Sequence, residues 1–481
     1  MTIQLSDRFT YGKLIRFTLP TIAMMILTSI YSIVDGFFVS NFAGKLPFSA
    51  VNLIMPFLMI LATVGFMFGT GGTAIVSNTY GSGDINKANR YFSLFVYFSF
   101  AIGVLLGIAG IIFVRPIASL LGAEGELLEH CVIYGRIILA ALPFMVLQLL
   151  FQSFFVAAEK PRLGLWVTLA AGVTNMVLDA VLVLLLPQEY KLAGAALATA
   201  FSQVVGGVVP LIYFFRKNDS ILRLGKTEFY GKAIIKACTN GSSEFMSNVS
   251  MSLVGILYNI QLLHFAGENG VAAYGVIMYV SMIFSATFIG YSIGTAPIIG
   301  FHNGAGNHGE LNSILKKSIK MLIIFGFLML AASQLLAYPL ARLFVGYDRE
   351  LQDMTVNGLR IFSFSFPLMG FAIFGSGFFT ALNDGLTSAL ISFLRTMIFQ
   401  GGAVLLLPMF LDIDGIWLAI VVAEFTAVVF TVIFMIAKRK KISLLNPVKY
   451  CLLPNNICLF LRHVFSSQQK YKSSAFSDIG I

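Results

Sequence analysis

The sequence predicts an all-α polytopic membrane protein whose twelve transmembrane helices form two six-helix lobes. Three observations lead to this fold class. Hydrophobic residues make up 58% of the 481 residues and charged residues only 11%, against about 25% charged residues in soluble proteins. The apolar residues are gathered into twelve runs, each long enough to cross a hydrocarbon layer of about 30 Å. The third observation is an internal repeat that relates the first half of the chain to the second.

The twelve apolar runs are predicted to be helices rather than barrel strands. They are continuously apolar and longer than the roughly ten residues that a spanning strand needs. In chain order they cover residues 14–40, 49–78, 91–114, 132–158, 163–186, 192–215, 233–264, 271–300, 316–338, 356–381, 386–409 and 415–437. We expect no cleavable signal peptide, because the first run is too long and is not followed by a small-residue cleavage motif.

The repeat joins segments that lie 223 or 224 residues apart. Phe42–Gly44 recurs as Phe265–Gly267, Tyr80–Gly83 as Asn303–Gly306, Arg136–Pro143 as Arg360–Pro367, and Phe155–Ala157 as Phe379–Ala381. Internal repeats of this size are typical of transporters in which two bundles face each other around a site at their interface. We therefore predict an N-lobe of helices 1–6 over residues 1–220, a C-lobe of helices 7–12 over residues 221–440, and a cytoplasmic tail over residues 441–481.

The net charge of +10 describes topology rather than a nucleic-acid partner. Lysine and arginine are concentrated in every second loop, and the rule that such loops stay inside predicts that both termini are cytoplasmic. The partner this implies is the lipid bilayer of a bacterial plasma membrane. The four cysteines show no C-x-x-C spacing, so neither a disulfide framework nor a metal site is expected.

Acids inside membrane spans are costly, so each is a candidate functional group. Four acids lie within the predicted spans: Asp35, Asp179, Glu244 and Glu424. Asn175 lies one helical turn before Asp179, on the same helix face. With a hydroxyl such as that of Thr199, this cluster can take up a proton or hold a partly dehydrated cation.

Other polar residues of the spans have less defined roles. Glu244 begins the seventh helix, where an acid also serves the helix dipole, so it is either a second functional acid or a structural one. Glu424 is expected to be structural, and Arg395 needs an acidic or carbonyl partner. Gln148 and Gln152, one turn apart, are candidates to line a substrate cavity. Pro20 removes a backbone hydrogen bond within the first helix and predicts a hinge there.

The chain lacks the motifs of an enzyme. Gly225–Thr227 resembles the end of a nucleotide-binding loop, but Ser220 stands where that loop requires a glycine. There is no nucleophile or metal constellation either, so we expect no cofactor and no ATP hydrolysis. An ion gradient, of H⁺ or Na⁺, is the energy source that remains.

Several motifs taken together carry a family resemblance. They are Pro20 with Asp35, Gly81–Asp84, Pro143 before Ala157, Asn175 with Asp179, and Gly194–Thr199. With them, the chain resembles the multidrug and toxic compound extrusion (MATE) family over residues 10–440, which implies the fold of the MATE and MOP superfamily. The segment Gly241–Phe245 resembles the MepA-like branch of that family.

The resemblance implies a proton- or sodium-coupled antiporter that exports bulky, mostly cationic drugs by alternating access as a monomer. It implies that Asp35, Asn175, Asp179 and Thr199 form the N-lobe proton or Na⁺ site, and that helix 1 bends at Pro20. Another branch uses a C-lobe site with an acid matching Glu244 and a second acid on helix 10. Helix 10 has no acid here, which favours coupling in the N-lobe.

Two other functions compete with this interpretation. A lipid-linked oligosaccharide flippase of the same superfamily would need more basic residues in its cavity than the few found here. A receptor or channel would not need two matched lobes with a titratable cluster. The repeat is also unequal in its chemistry, since Asp35 aligns with Tyr258 and Asp179 with Ala403.

Overall fold

The computed structural model describes residues 3–438, and over that range it contains helices and no strand. The α-helices are α1 Tyr11–Phe38, α2 Lys45–Gly81, α3 Ile85–Leu120, α4 Gly125–Ala157, α5 Pro161–Leu185, α6 Lys191–Phe215, α7 Gly231–Gly304, α8 His308–Val345, α9 Arg349–Ser363, α10 Phe366–Ala381, α11 Gly385–Phe393, α12 Gly401–Leu406 and α13 Pro408–Ala437. Two π-helices, Val39–Ala43 and Leu394–Gln400, and the 3₁₀ turn Gln188–Tyr190 complete the set. The predicted tail over 441–481 lies outside the described residues.

The helices account for the predicted number of membrane crossings. Within residues 3–438, ten helices are long and apolar enough to span a membrane, and the bent pair α9 and α10 adds an eleventh crossing. One of the ten, α7, has 74 residues and breaks at Gly267, where φ is 60°. A break in the middle of so long a helix makes it two crossings. The predicted all-α membrane fold is confirmed, and the count reaches twelve.

The sequence repeat reappears in the backbone. Three pairs of residues with left-handed φ angles are separated by the repeat spacing: Gly44 (111°) with Gly267 (60°), Gly83 (93°) with Gly306 (66°), and Glu159 (59°) with Asn383 (60°). Glycine adopts this conformation freely and asparagine tolerates it, whereas glutamate rarely does. The two halves of the chain therefore turn at equivalent places, and Glu159 is held in a conformation that it does not prefer.

The two halves touch through glycines at the end of the molecule that carries the lysine- and arginine-rich loops. A Cβ atom added to Gly81 would lie 2.0 Å from the carbonyl oxygen of Phe301, and one added to Gly304 would lie 1.9 Å from that of Asn78. Gly304 is the repeat partner of Gly81, and Phe301 is that of Asn78. The contact between α2 and the second part of α7 is thus nearly two-fold symmetric, and any side chain at these glycines would force the helices apart.

A second glycine contact joins the first part of α7 to α2. A Cβ atom on Gly241 would lie 2.0 Å from the carbonyl oxygen of Met67, and one on Gly71 would lie 2.1 Å from that of Ala237. Both backbones approach each other closely because neither helix carries a side chain at the crossing. The halves are therefore packed directly, helix against helix, on this side.

Residues 3–10, here called the N-terminal strap, link the two halves at the same end. The Leu5 N–H donates a hydrogen bond to Glu159 Oε1 (2.6 Å) in the first half, and the Phe9 N–H donates to Glu310 Oε1 (2.9 Å) in the second. The side chains of Leu5 and Phe9 are 0% and 1% exposed. Carboxylates thus satisfy backbone donors of a segment that belongs to no helix or strand.

The repeat spacing changes within the eleventh crossing. Val183–Pro187 recurs as Val404–Pro408, which is a spacing of 221 residues. The π-helix Leu394–Gln400 lies where the spacing changes, and such a turn alters which residues share a helix face. In the register of this match, Asp179 corresponds to Gln400 and not to Ala403, which the constant spacing predicts.

The prolines behave differently in the two halves. Pro143 lies inside the unbroken α4, whereas its repeat partner Pro367 begins α10 after a bend of 50° from α9. Pro20 lies within α1, which runs through it as one helix from Tyr11 to Phe38. The hinge at Pro20 remains a prediction.

Candidate functional site

Helices α1, α5 and α6 bring four of the predicted site residues together. Asp35 lies near the end of α1, Asn175 and Asp179 lie one turn apart on α5, and Thr199 lies on α6. The Thr199 hydroxyl donates to Asp35 Oδ1 at 3.4 Å, and the Asn175 amide donates to Thr199 Oγ1 at 3.5 Å. These hydrogen bonds are long and weak, so the cluster is assembled but not tightly closed.

Asp179 is the least satisfied group of the cluster. Its side chain is 0% exposed, and neither carboxylate oxygen receives a hydrogen bond from any described residue. Its carboxyl group lies beside that of Asp35. Two neighbouring carboxylates removed from water repel each other, and a proton or a cation between them relieves this repulsion. The arrangement therefore favours binding of one small positive charge.

Close packing of α1 against α5 holds Asp35 in place. A Cβ atom on Gly172 would lie 2.6 Å from the ring of Tyr31, which is one turn before Asp35. The absence of a side chain at Gly172 lets that ring pack on α5. Asp35 itself is partly exposed, whereas Asn175 is only 4% exposed. Asp35 is therefore the member of the pair of aspartates that is not fully buried.

Tyr134 is a further member of the site that the sequence did not identify. This α4 residue is 0% exposed, and its hydroxyl has no hydrogen-bond partner among residues 3–438. It lies beside Thr199 and within electrostatic range of Asp35 and Asp179. Nothing in the sequence separates Tyr134 from the other tyrosines of the chain, because only the packing of α4 against α6 brings it to the cluster. Its hydroxyl can supply another oxygen ligand to a bound ion.

The glutamine pair predicted to line a cavity lies within the first half. Gln152 is 3% exposed and none of its side-chain polar atoms has a partner in the described chain. Gln148 packs on α6, since a Cβ atom on Gly206 would lie 2.6 Å from its Cδ. No hydrogen bond among residues 3–438 links either glutamine to Asp35.

Glu244 stands apart from this cluster, in the first part of α7. Its side chain is partly exposed, and its carboxylate forms no hydrogen bond or ion pair with another described residue. Its backbone carbonyl accepts a hydrogen bond from the Asn248 amide at 2.8 Å. The prediction that Glu244 begins the seventh helix was wrong, because α7 begins at Gly231, more than three turns earlier, so Glu244 does not serve the dipole of a helix start.

Arg395 has the acidic partner that the sequence required. Its Nε donates to Glu424 Oε1 and Oε2 at 2.9 and 3.0 Å, and its Nη2 donates to Oε1 at 2.6 Å. The Glu424 side chain is 1% exposed and that of Arg395 is 19% exposed. The pair joins the π-helix to α13, and Glu424 is structural in the sense that its charge is fully balanced.

The oxygens of the first cluster suit a small hard cation. Carboxylate, amide and hydroxyl oxygens are the ligands that such ions take in proteins. Residues 3–438 contain no group of three or more His, Cys, Asp or Glu side chains that could hold a metal ion. The two carboxyl groups of Asp35 and Asp179, with the amide of Asn175 and the hydroxyl of Thr199, are the oxygens that could receive a proton or a small cation.

The match to a family model and the matches to known proteins agree with each other. The family model described as MatE matches residues 20–181 and 245–400. The chain is 24% identical over 422 residues to the multidrug export protein MepA of Staphylococcus aureus, covering 86% of this chain and 91% of that protein. It is 26% identical over 376 residues to MepA of Staphylococcus haemolyticus, covering 78% and 82%.

Solved structures share the fold. A multidrug resistance MATE family transporter of the MOP superfamily, in its outward-facing conformation, superimposes with a TM-score of 0.85 at 22% identity. The match covers 91% of this chain and 97% of that one. A MOP superfamily transporter from Pyrococcus furiosus superimposes with a TM-score of 0.83 at 23% identity, covering 91% and 97%.

Proposed function

The chain belongs to the MatE family of membrane transporters, and from this premise we propose that it is a cation-coupled antiporter that exports bulky, mostly cationic organic compounds. Family membership makes it a transporter and not an enzyme. We place it in a bacterial plasma membrane, where it acts as a monomer with both termini in the cytoplasm. The relatives named multidrug export protein support the substrate class.

One observation carries the proposal of cation coupling. Asp179 is completely buried beside a second carboxyl group, and no donor among the described residues balances its charge. A buried carboxylate in this state is costly unless a proton or a cation joins it. The cluster of Asp35, Asn175, Asp179 and Thr199 is therefore the proposed coupling site, with H⁺ or Na⁺ as its ion.

Alternating access is supported by the contacts between the two halves. We propose that residues 1–220 and 221–440 are the two lobes, and that the glycine contacts and the N-terminal strap close the cytoplasmic side. The assignment of that side follows from the basic loops at the same end. With this end closed, ions reach Asp35 from outside the cell.

The coupling needs no direct contact between ion and drug. Binding of a cation removes the repulsion between Asp35 and Asp179 and lets α1 pack differently against α5, with Pro20 as the proposed hinge. If the drug is held better by the state without the cation, the cation displaces it to the outside. Each ligand then favours a different state, which is sufficient for antiport.

The competing flippase function receives no support from the second half of the chain. A flippase that binds a pyrophosphate would need basic groups free to contact it. Arg395, the chief basic residue within the spans, is engaged by both oxygens of Glu424. Its charge is already balanced inside the protein.

The proposal is tested by ethidium accumulation in everted membrane vesicles, with the proton gradient and the sodium gradient imposed separately. We expect one of the two gradients to drive accumulation by the wild-type protein and Asp35→Asn to abolish it at equal expression. Ser32→Ala is the matched control, because Ser32 lies on α1 one turn away with its hydroxyl bonded to the backbone of its own helix. Undiminished gradient-driven accumulation by Asp35→Asn would overturn the coupling role.

A further inference from the structure

The second half of the chain contains a polar cluster at the place that corresponds to the cation site of the first half. Tyr258 is the repeat partner of Asp35, and Gln400 is that of Asp179 in the register of the π-helix. The side chains of Asp35 and Asp179 lie beside each other, and so do those of Tyr258 and Gln400. The repeat has therefore kept the contact while replacing both acids with neutral groups.

A full positive charge lies close to this neutral pair. Arg395 and Gln400 belong to the same π-helix, Leu394–Gln400, and Glu424 lies within electrostatic range of the Tyr258 hydroxyl. Glu424 is 1% exposed and receives three hydrogen bonds from Arg395. A π-helix adds a residue to a helical turn and is frequent at functional sites. Here it carries both Gln400 and Arg395 to the helix face that meets α7 and α13.

Each cluster contains a buried carboxylate, and the source of the positive charge that balances it differs between the two. Asp179 is buried without a donor, so the first half needs a cation from solution. Glu424 is buried with a guanidinium that belongs to the chain. We infer that Arg395 is the resident cation of this second cluster: it balances the charge of Glu424 in place of an exchangeable ion, so that the cluster of Tyr258, Gln400 and Glu424 binds no coupling ion.

The inference rests on the proposed function, since it assigns the coupling ion to one half of an antiporter. Loss of the Arg395 charge would leave Glu424 buried and uncompensated, as Asp179 is. Glu424 would then need a proton or Na⁺ from solution. The charged and titratable groups that face it are Arg395 from the π-helix and Tyr258 from α7, with Tyr274 stacked on Tyr258 at 4.8 Å.

The experiment counts cations released when ethidium binds to the purified full-length protein in detergent. Protons are followed with a pH indicator in weak buffer, and sodium with a radioactive tracer. We expect Arg395→Met to release up to one cation more than the wild-type protein. The charge-neutral double variant Arg395→Met with Glu424→Gln should return to the wild-type number, because it has neither the buried acid nor its partner.

The outcomes separate the two proposals. If the wild-type protein and every variant release no cation, the proposed coupling itself fails. If the wild-type protein releases cations and Arg395→Met releases the same number, the resident-cation inference is overturned. Should Arg395→Met not fold, the double variant still decides: retention of the wild-type number supports the inference, and loss of release shows that the second half exchanges an ion.

Discussion

The two halves of this transporter share turns, glycines and helix order, yet their corresponding polar clusters differ in where the positive charge comes from. In the first half, Asp35 and Asp179 face each other and neither oxygen of Asp179 has a donor. In the second half, Tyr258 and Gln400 replace the acids, and the nearby carboxylate of Glu424 is bound by Arg395. The first cluster therefore lacks a balancing positive charge among the described residues, whereas Arg395 supplies one in the second.

This difference indicates how two copies of one scaffold can differ in chemistry: one cluster needs a cation from solution, and the other contains its own. A cluster whose buried carboxylate is balanced by a side chain of the protein, as Glu424 is by Arg395, needs no ion from solution. A half that lacks a charge can respond to one.

The largest effect is expected from replacing Asp179, the buried acid whose oxygens receive no hydrogen bond from a described residue. Asp179→Asn should lower gradient-driven ethidium transport about 5- to 150-fold, the range of a typical coupling free energy. Thr174→Ala on the same helix is the control, since its hydroxyl only bonds back to Ala170. Initial rates in everted vesicles measure the effect. Equal rates for Asp179→Asn and the control would mean that the first cluster is structural.

Stability should respond in opposite directions in the two halves. Arg395→Met leaves Glu424 buried without a partner and should cost about 3–5 kcal/mol. Asp179→Asn removes a repulsion and should raise the thermal unfolding midpoint in detergent. If Arg395→Met shifted the midpoint no more than Asp179→Asn does, the contrast between the clusters would be lost.

The glycine contact between the halves can be broken with one methyl group. Gly81→Ala places a Cβ atom 2.0 Å from the Phe301 carbonyl oxygen, and overpacking of this kind costs about 1–3 kcal/mol. Gly255→Ala is the matched control, because nothing lies within 4 Å of its added Cβ atom. We expect faster maleimide labelling of Cys238, which lies next to Ala237 at the second glycine contact between α2 and α7, in Gly81→Ala only.

That labelling experiment requires Cys451→Ser and Cys458→Ser as its background, so that the tail does not react. Cys131 is buried and stays in place. Identical labelling of Cys238 in Gly81→Ala and Gly255→Ala would show that this contact does not hold the halves together.

The smallest effect concerns the strap and pH. Burial raises the pKa of the Glu159 carboxyl, outside the spans, although its hydrogen bond from Leu5 opposes this. An acid with a raised pKa in the docked state favours docking when protonated. The strap should therefore be most stable below the ordinary pKa of glutamate and should loosen as pH rises through the raised value.

Hydrogen exchange of residues 3–10, corrected for the intrinsic effect of pH, measures this loosening. Glu159→Gln should remove the pH dependence, while Glu189→Gln, an exposed acid, should leave it unchanged. A strap whose protection did not depend on pH in the wild-type protein would contradict the role of Glu159.

Much of the fold followed from the sequence, because apolar run length and the positions of basic residues are local properties. The first cluster was also accessible, since acids in spans are rare and Asn175 and Asp179 share a helix face. Tyr134 was not accessible, because its role depends on packing between distant helices. The match of Gln400 to Asp179 was missed because the repeat spacing shortens from 224 to 221 residues within the eleventh crossing, and no single residue marks where it does so.

The central claim is that, of the two corresponding clusters, only the one with Asp35 and Asp179 exchanges a cation. Counting the H⁺ or Na⁺ released on ethidium binding tests it most directly, with the double variant Asp35→Asn and Asp179→Asn compared with the double variant Arg395→Met and Glu424→Gln. We predict no release from the first variant and wild-type release from the second. Release that persists without the two aspartates, or disappears without the Arg395 and Glu424 pair, would contradict the account.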